Sequence, residues 1–266
     1  MDRLRITSAQ SPTSDLVVVA ISRYLTQHRQ IPTELVLGPP WQERLKLLFG
    51  GQLELGWICS LPYVRAADAG NPPFEPLVTP VVDHPRYGGK PVYFSDVIVR
   101  RESAYQSFAD LKGATWAYNE PGSHSGYTLT RSHLALLGEP VGYFAGQVEA
   151  DSHLAALDMV LNGEVDASAI DSMVLESEAR RVPGLMDDLR VVETLGPSPI
   201  PPVVIATSVP GPQKEQIADA LVGMALDETG RALLQEAGLV RFVRVHDKDY
   251  DPIRERDRLA AQVQQW

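Results

Sequence analysis

The chain has 266 residues, is 44% hydrophobic, and carries a formal net charge of −10 with an isoelectric point near 5.1 and a single cysteine, Cys59. This length and apolar content suit one large globular domain or two small ones and exclude a disordered chain. The acidic balance, with no run of five like charges, excludes a basic surface for nucleic acid or anionic membrane, and one cysteine excludes an internal disulfide or a cysteine-based zinc cluster.

The first residues run directly into a strand pattern without the apolar core of a signal peptide, and no apolar run approaches about 18 residues. As written, the chain is therefore expected to be neither exported nor inserted in a membrane. It works in the cytoplasm, or in the periplasm if a leader precedes it in the natural protein; the sequence leaves that open.

In chain order, strands are expected at about 4–7, 34–37, 53–58 and 76–82, with helices at about 14–29, 41–49 and 61–69 between them. A second set places strands at about 93–99, 115–118, 141–145, 165–170 and 189–193, and helices at about 124–137, 152–162 and 172–180. The remainder returns to a strand at about 203–206 and then reads as helices near 213–224, 227–236 and 252–264. Such alternation is the pattern of α/β architecture.

The segment 45–55 aligns with 157–167, placing Gly51 opposite Gly163, and the same offset of 112 residues sets 4–14 against 116–126. A helix ending in glycine before a strand is common in α/β chains, so the repeat alone does not decide the matter. Taken with the alternation, it predicts two similar α/β lobes with mixed, mainly parallel sheets, joined by two crossover strands near 92–96 and 198–203. The expected partition is 1–94 plus 200–266 for a discontinuous first lobe and 95–199 for the second.

In open α/β lobes, ligands sit beyond the carboxyl ends of strands, where loops meet helix N-termini. That rule selects four loops: 8–14, which includes Ser11; 57–60; 119–126; and 171–172. The strongest of them follows the strand at 115–118, where Pro121-Gly122 stops the strand and Ser123-His124-Ser125-Gly126 opens a helix. Free N–H groups at a helix start carry partial positive charge, glycine admits close approach, and two serine hydroxyls can turn to donate. Ser123 read alone is equally an N-cap. Asp171, at a strand end, either faces a hydrogen-bearing oxyanion, orients a histidine or caps the next helix. Trp57 and Tyr63 lie where the first-lobe strand meets the same end of the sheet and read equally as contacts or as packing.

The chain also resembles the phosphate/phosphite/phosphonate-type solute-binding proteins of ABC transporters. The resemblance rests on the phrase at 93–99, Phe108-Ala109-Asp110-Leu111-Lys112-Gly113, the Ser123-His124-Ser125-Gly126 turn, the segment 153–171 and the segment 53–63. It implies the type II periplasmic-binding-protein fold and a small anionic ligand gripped by Ser123, His124, Ser125 and His153. It further implies an aromatic contact from Tyr93, an ABC permease as partner, and ligand docking on the second lobe followed by closure of the first. The turn departs from the commoner Ser-Thr-Ser form by placing His124 in its middle, which puts oxygen donation at that point in doubt. Relatives that bind aminophosphonates carry a carboxylate just before a proline on the return crossing. Pro201 stands at that position here, which argues against aminoethylphosphonate as the preferred ligand.

No catalytic residue, cofactor or metal site is expected. The chain lacks a Gly-x-Ser-x-Gly elbow, a phosphate-binding P-loop, a His-Glu-x-x-His helix and a dinucleotide glycine fingerprint, and its six histidines are scattered. The competing readings are a cytosolic biosynthetic enzyme on the same fold, of the menaquinone- or thiamine-precursor type, and a ligand-sensing subunit.

Overall fold

The computed structural model of the chain describes residues 3–10, 14–70, 72–139 and 141–264. Its elements are β1 (Leu4–Ser8), α1 (Asp15–His28), β2 (Thr33–Leu35), α2 (Trp41–Phe49), β3 (Leu55–Trp57), α3 (Ser60–Asp68), β4 (Phe74–Val82), β5 (Val92–Arg100), β6 (Thr115–Tyr118) and α4 (Leu129–Leu136). They continue with β7 (Gly146–Glu149), α5 (His153–Leu161), β8 (Ala167–Asp171), α6 (Ser172–Arg181), β9 (Leu189–Pro199), β10 (Val203–Ala206), α7 (Gly211–Gly223), α8 (Glu228–Glu236), β11 (Leu239–Arg244) and α9 (Asp251–Ala260). The chain divides into two compact units, Met1–Val92 with Pro199–Asp251, and Tyr93–Ser198 with Pro252–Trp266.

The first unit is built on a six-stranded sheet in the order β11-β4-β10-β3-β1-β2. β1 pairs parallel with β2 and β3, whereas β10 pairs antiparallel with β3 and β4, and β11 antiparallel with β4. The central strand β3 is buried throughout, and Gly56 within it is required by packing. A Cβ there would lie 2.9 Å from the Leu48 side chain of α2, so the absent side chain is what lets that helix settle on the strand. The apolar stripe of α1, including Val18, Ile21 and Leu25, is buried in the way its helical spacing predicts.

The second unit is built on a five-stranded sheet in the order β7-β6-β8-β5-β9. β6 pairs parallel with β7 and β8, and β5 pairs antiparallel with β8. Both faces of this sheet are covered, and the two-residue period of a strand divides its side chains between two cores. Val97, Val99, Trp116 and Ala169 enter one core with Phe108, Leu129 and Leu134. Ile98, Ala117 and Ile170 enter the other, with Leu157 and Val160 of α5 and Val174 of α6.

Four expectations need correction. The sheets are mixed as expected but not mainly parallel, since in the first unit two strand pairings among the described residues are parallel and three antiparallel, the returning strands β10 and β11 running against their neighbours. The apolar run expected as a strand at 141–145 is not one: Tyr143 and Phe144 are buried against Phe108 and Trp116, and the strand begins only at Gly146. Aromatic rings of that size stabilise more as a core plug than on an edge strand. A strand unforeseen in the sequence, β11, pairs with β4, although its Val, Phe and Val residues are good strand formers. Finally, the stretch from Pro252 groups with the second unit and not with the first, because Val263 is fully buried among Val97, Phe108 and Trp116, and the Arg131 guanidinium donates to its carbonyl.

Candidate anion site in the second unit

Where β6 ends, the chain passes through Asn119-Glu120-Pro121-Gly122 into a π-helical turn, His124–Thr128, that runs on into α4. Proline lacks the N–H that a continued strand would need. Ser123 is extended, and its hydroxyl accepts from Gly126 N at 3.1 Å, so it is the N-cap. The wider π turn is closed by Thr128 N donating to Ser123 O and Leu129 N donating to His124 O. Among the described residues no acceptor faces the backbone N–H of His124 or of Ser125. Both residues are buried, and their N–H groups stand at the positive end of a helix with no hydrogen bond to a described residue.

Several strands and helices converge to hold that turn. Ser95 Oγ, on β5, donates to Ser125 O at 2.9 Å, and Ser95 stands opposite Asp171 in the β5–β8 register. Ser125 Oγ lies 3.0 Å from Nε2 of His153, the first residue of α5, a helix capped by Ser152 accepting from Ala155 N. Burial pulls His153 down to a pKa of about 4, which makes it a neutral ring, and its buried Nδ1 has no hydrogen-bond partner among the described residues. With its proton on Nε2, His153 donates to Ser125 Oγ and leaves the serine hydroxyl hydrogen to point elsewhere.

Gly126 allows these groups to approach. A Cβ at that position would lie 2.0 Å from Asn119 Oδ1, closer than atoms pack, and 3.0 Å from His153 Cε1, a tight contact. Asn119 is buried, and its Oδ1 has no hydrogen-bond partner among the described residues. Asp171 caps α6 by accepting from Met173 N at 2.8 Å. Burial, helped by the nearby charges of Asp96 and Glu176 and opposed by backbone bonds from Met173 and Val174, pushes its carboxyl up to about 7.

The structure thus brings Ser123, Ser125, Gly126 and His153 together, with Asp171 across the β5–β8 pair from Ser95. His124 belongs to the turn but its ring is fully buried, 3.0 Å by Nε2 from Ser198 Oγ and against Tyr93. Burial, reinforced by the charge of Arg256 and only partly offset by Asp257, lowers it to about 3. Two expected contacts lie in the core of the first unit. Trp57 is buried and donates from Nε1 to Pro201 O at 2.9 Å, and Tyr63 is buried, donates to Asp247 Oδ1 at 2.7 Å and packs on Tyr250. For both, the contacts found are packing and hydrogen bonds within the first unit. Ser11 lies outside the described residues. Asn119, Ser95 and Ser198 were not anticipated. Asn119 stands in the selected loop and was within reach of the strand-end rule, whereas Ser95 and Ser198 lie in the segments marked as crossings, with nothing to single out either side chain.

Among the described residues, no group of three or more His, Cys, Asp or Glu side chains could hold a metal ion, and no helix is long and apolar enough to cross a membrane.

The family model described as the periplasmic substrate-binding protein of the phosphonate ABC transporter matches residues 6–250. Among solved structures, the chain is similar to a binding protein component of an ABC phosphonate transporter from Pseudomonas aeruginosa. That match has 18% identity and a TM-score of 0.81 over 98% of this chain and 87% of the other. It is equally similar in fold to PhnD1 from Prochlorococcus marinus in complex with methylphosphonate, with 16% identity and a TM-score of 0.81 over 98% of each chain. The periplasmic aliphatic sulphonate binding protein SsuA from Escherichia coli matches at 17% identity and a TM-score of 0.67, over 98% of this chain and 87% of the other. These likenesses are those of the type II periplasmic-binding-protein fold.

Proposed function

Because the chain belongs to the family of phosphonate ABC-transporter periplasmic substrate-binding proteins, whose members are transport proteins and not enzymes, we propose that it seats a small tetrahedral oxyanion of the phosphate, phosphite or phosphonate kind on the turn at 122–126. The carrying observation is the pair of N–H groups of the buried residues His124 and Ser125, which bond to no described residue and are flanked by the Ser125 hydroxyl and His153. Donors held in place before the ligand arrives need no reorganisation, and an anion supplies the acceptors that buried donors otherwise lack. A neutral His153 that donates to Ser125 Oγ strengthens the serine hydroxyl as a donor toward oxygen.

The net charge of −10 makes this local arrangement necessary, since the overall field repels an anion. Asp171 supplies discrimination. Burial places its ionisation at about 7, and once ionised it accepts a hydrogen bond from an oxyanion that itself carries a proton, which sulfate does not, so the discrimination strengthens as pH rises above 7. With Pro201 on the return crossing, no carboxylate stands there for a ligand amine. The chain serves an ABC permease as its partner and works on the periplasmic side, as the family does.

A thermal-shift and calorimetric panel of methylphosphonate, phosphite, phosphate, aminoethylphosphonate and sulfate tests this. A ligand of the proposed class at 100 times its dissociation constant should add roughly 2.7 kcal/mol of stability. Comparable affinities for sulfate and phosphate would remove the role given to Asp171, and no response to any phosphorus oxyanion would end the oxyanion reading.

A further inference from the structure

The surroundings of His124 assign it a task different from that of its two serine neighbours. Successive residues of a helical turn face different directions, and here Ser125 points its hydroxyl at His153 while the His124 ring goes to the strands beneath. Its Nε2 is 3.0 Å from Ser198 Oγ, and its centroid is 6.4 Å from that of Tyr93 at an interplanar angle of 53°. Tyr93 is the residue at which the chain enters the second unit, and Ser198 the one at which it leaves toward Pro199.

Their strands, β5 and β9, are neighbours in the sheet. Gly196 keeps them close, because a Cβ there would lie 3.2 Å from the Tyr93 carbonyl oxygen and from the Phe94 ring. One imidazole is therefore fastened to both crossing strands while its own backbone N–H heads the anion turn. The ring is neutral, since burial lowers its pKa to about 3, so it acts by hydrogen bonding and packing and adds no charge for an anion.

We propose that His124 is a positioning residue that locks the oxyanion turn to the two strands by which the chain enters and leaves the second unit, and that its side chain does not contact the ligand. The role rests on the oxyanion reading of the turn. It predicts that Ser198, which no rule of sequence selects for binding, matters to affinity as much as His124 does.

The test uses the full chain with Ser198→Ala, His124→Ala, His124→Gln and the double alanine variant. Two readouts are methylphosphonate affinity by calorimetry and amide hydrogen exchange at 123–126 without ligand. Ser198→Ala and His124→Ala should each weaken binding about tenfold, the double variant no further, with partial rescue by His124→Gln, whose amide keeps a donor. Ligand-free exchange at 123–126 should quicken in Ser198→Ala. A Ser198→Ala protein that binds as wild type while His124→Ala loses binding would make His124 a direct ligand and overturn the proposal. If His124→Ala does not fold, Ser198→Ala decides alone. Should wild type bind no phosphorus oxyanion, the oxyanion reading fails; faster exchange in Ser198→Ala then still upholds the anchoring, and unchanged exchange overturns it.

Discussion

Ser125 Oγ and His153 Nε2, 3.0 Å apart, join the first turn leading into α4 to the first residue of α5. Two helix starts that are 28 residues apart in the chain thereby present one donor set. Ser125→Ala should weaken methylphosphonate binding by about 10–100-fold, the cost of a hydrogen bond to a charged group. His153→Ala should act through the same hydroxyl, so the double variant should lose less than the two single losses added together, which calorimetry on all four proteins checks.

Gly126 is a steric requirement. Gly126→Ala sets a methyl group 2.0 Å from Asn119 Oδ1 and must displace Asn119 or the turn. The expected outcome is a loss of about 1–3 kcal/mol of stability together with weakened ligand binding. Shortening Asn119 to Ala in the same protein should restore part of the stability. Chemical denaturation of the single and double variants decides; equal stability of Gly126→Ala and wild type would contradict the packing.

The Asp171 carboxyl imposes a pH dependence whose sign follows from its raised pKa. A carboxyl raised from its ordinary 3.8 to about 7 in the folded state contributes stability that is complete below 3.8 and is lost as pH rises toward 7. Asp171→Asn keeps an oxygen for Met173 N and removes the ionisation. Relative to wild type it should therefore be more stable at pH 8 than at pH 5, by roughly 2 kcal/mol or more. Thermal midpoints of both proteins at the two pH values provide the measurement, and a difference independent of pH would contradict the burial of the carboxyl.

In the first unit, Tyr63→Phe removes the 2.7 Å hydrogen bond to Asp247 and leaves the ring packed on Tyr250. It should cost about 1 kcal/mol of stability and leave oxyanion affinity unchanged. A clear loss of affinity at unaltered stability would return Tyr63 to the binding residues.

Much of the fold was legible because its signals are local. The helical spacing of Val17, Val18, Ile21 and Leu25 and the alternation of Val97, Ile98 and Val99 need no knowledge of their neighbours, and both are realised. The failures fall where long-range packing overrides a local preference. Tyr143 and Phe144 read as strand but fill a hole beside Trp116, and Val263, at the end of an amphipathic tail, is taken up by the core of the second unit.

For the site, the residues 119–126 determined by themselves that a strand gives way to a helix through small, hydroxyl-bearing residues, the chemistry of an anion seat. Which groups complete that seat was decided only when β5, β8 and α5 folded against the turn, bringing Ser95 and His153 onto Ser125 and turning His124 toward Ser198. Composition and spacing specify which donors a segment owns, because those are covalent facts of the chain. Their direction and their partners depend on contacts between residues 28 to 74 positions apart, which exist only in the folded molecule.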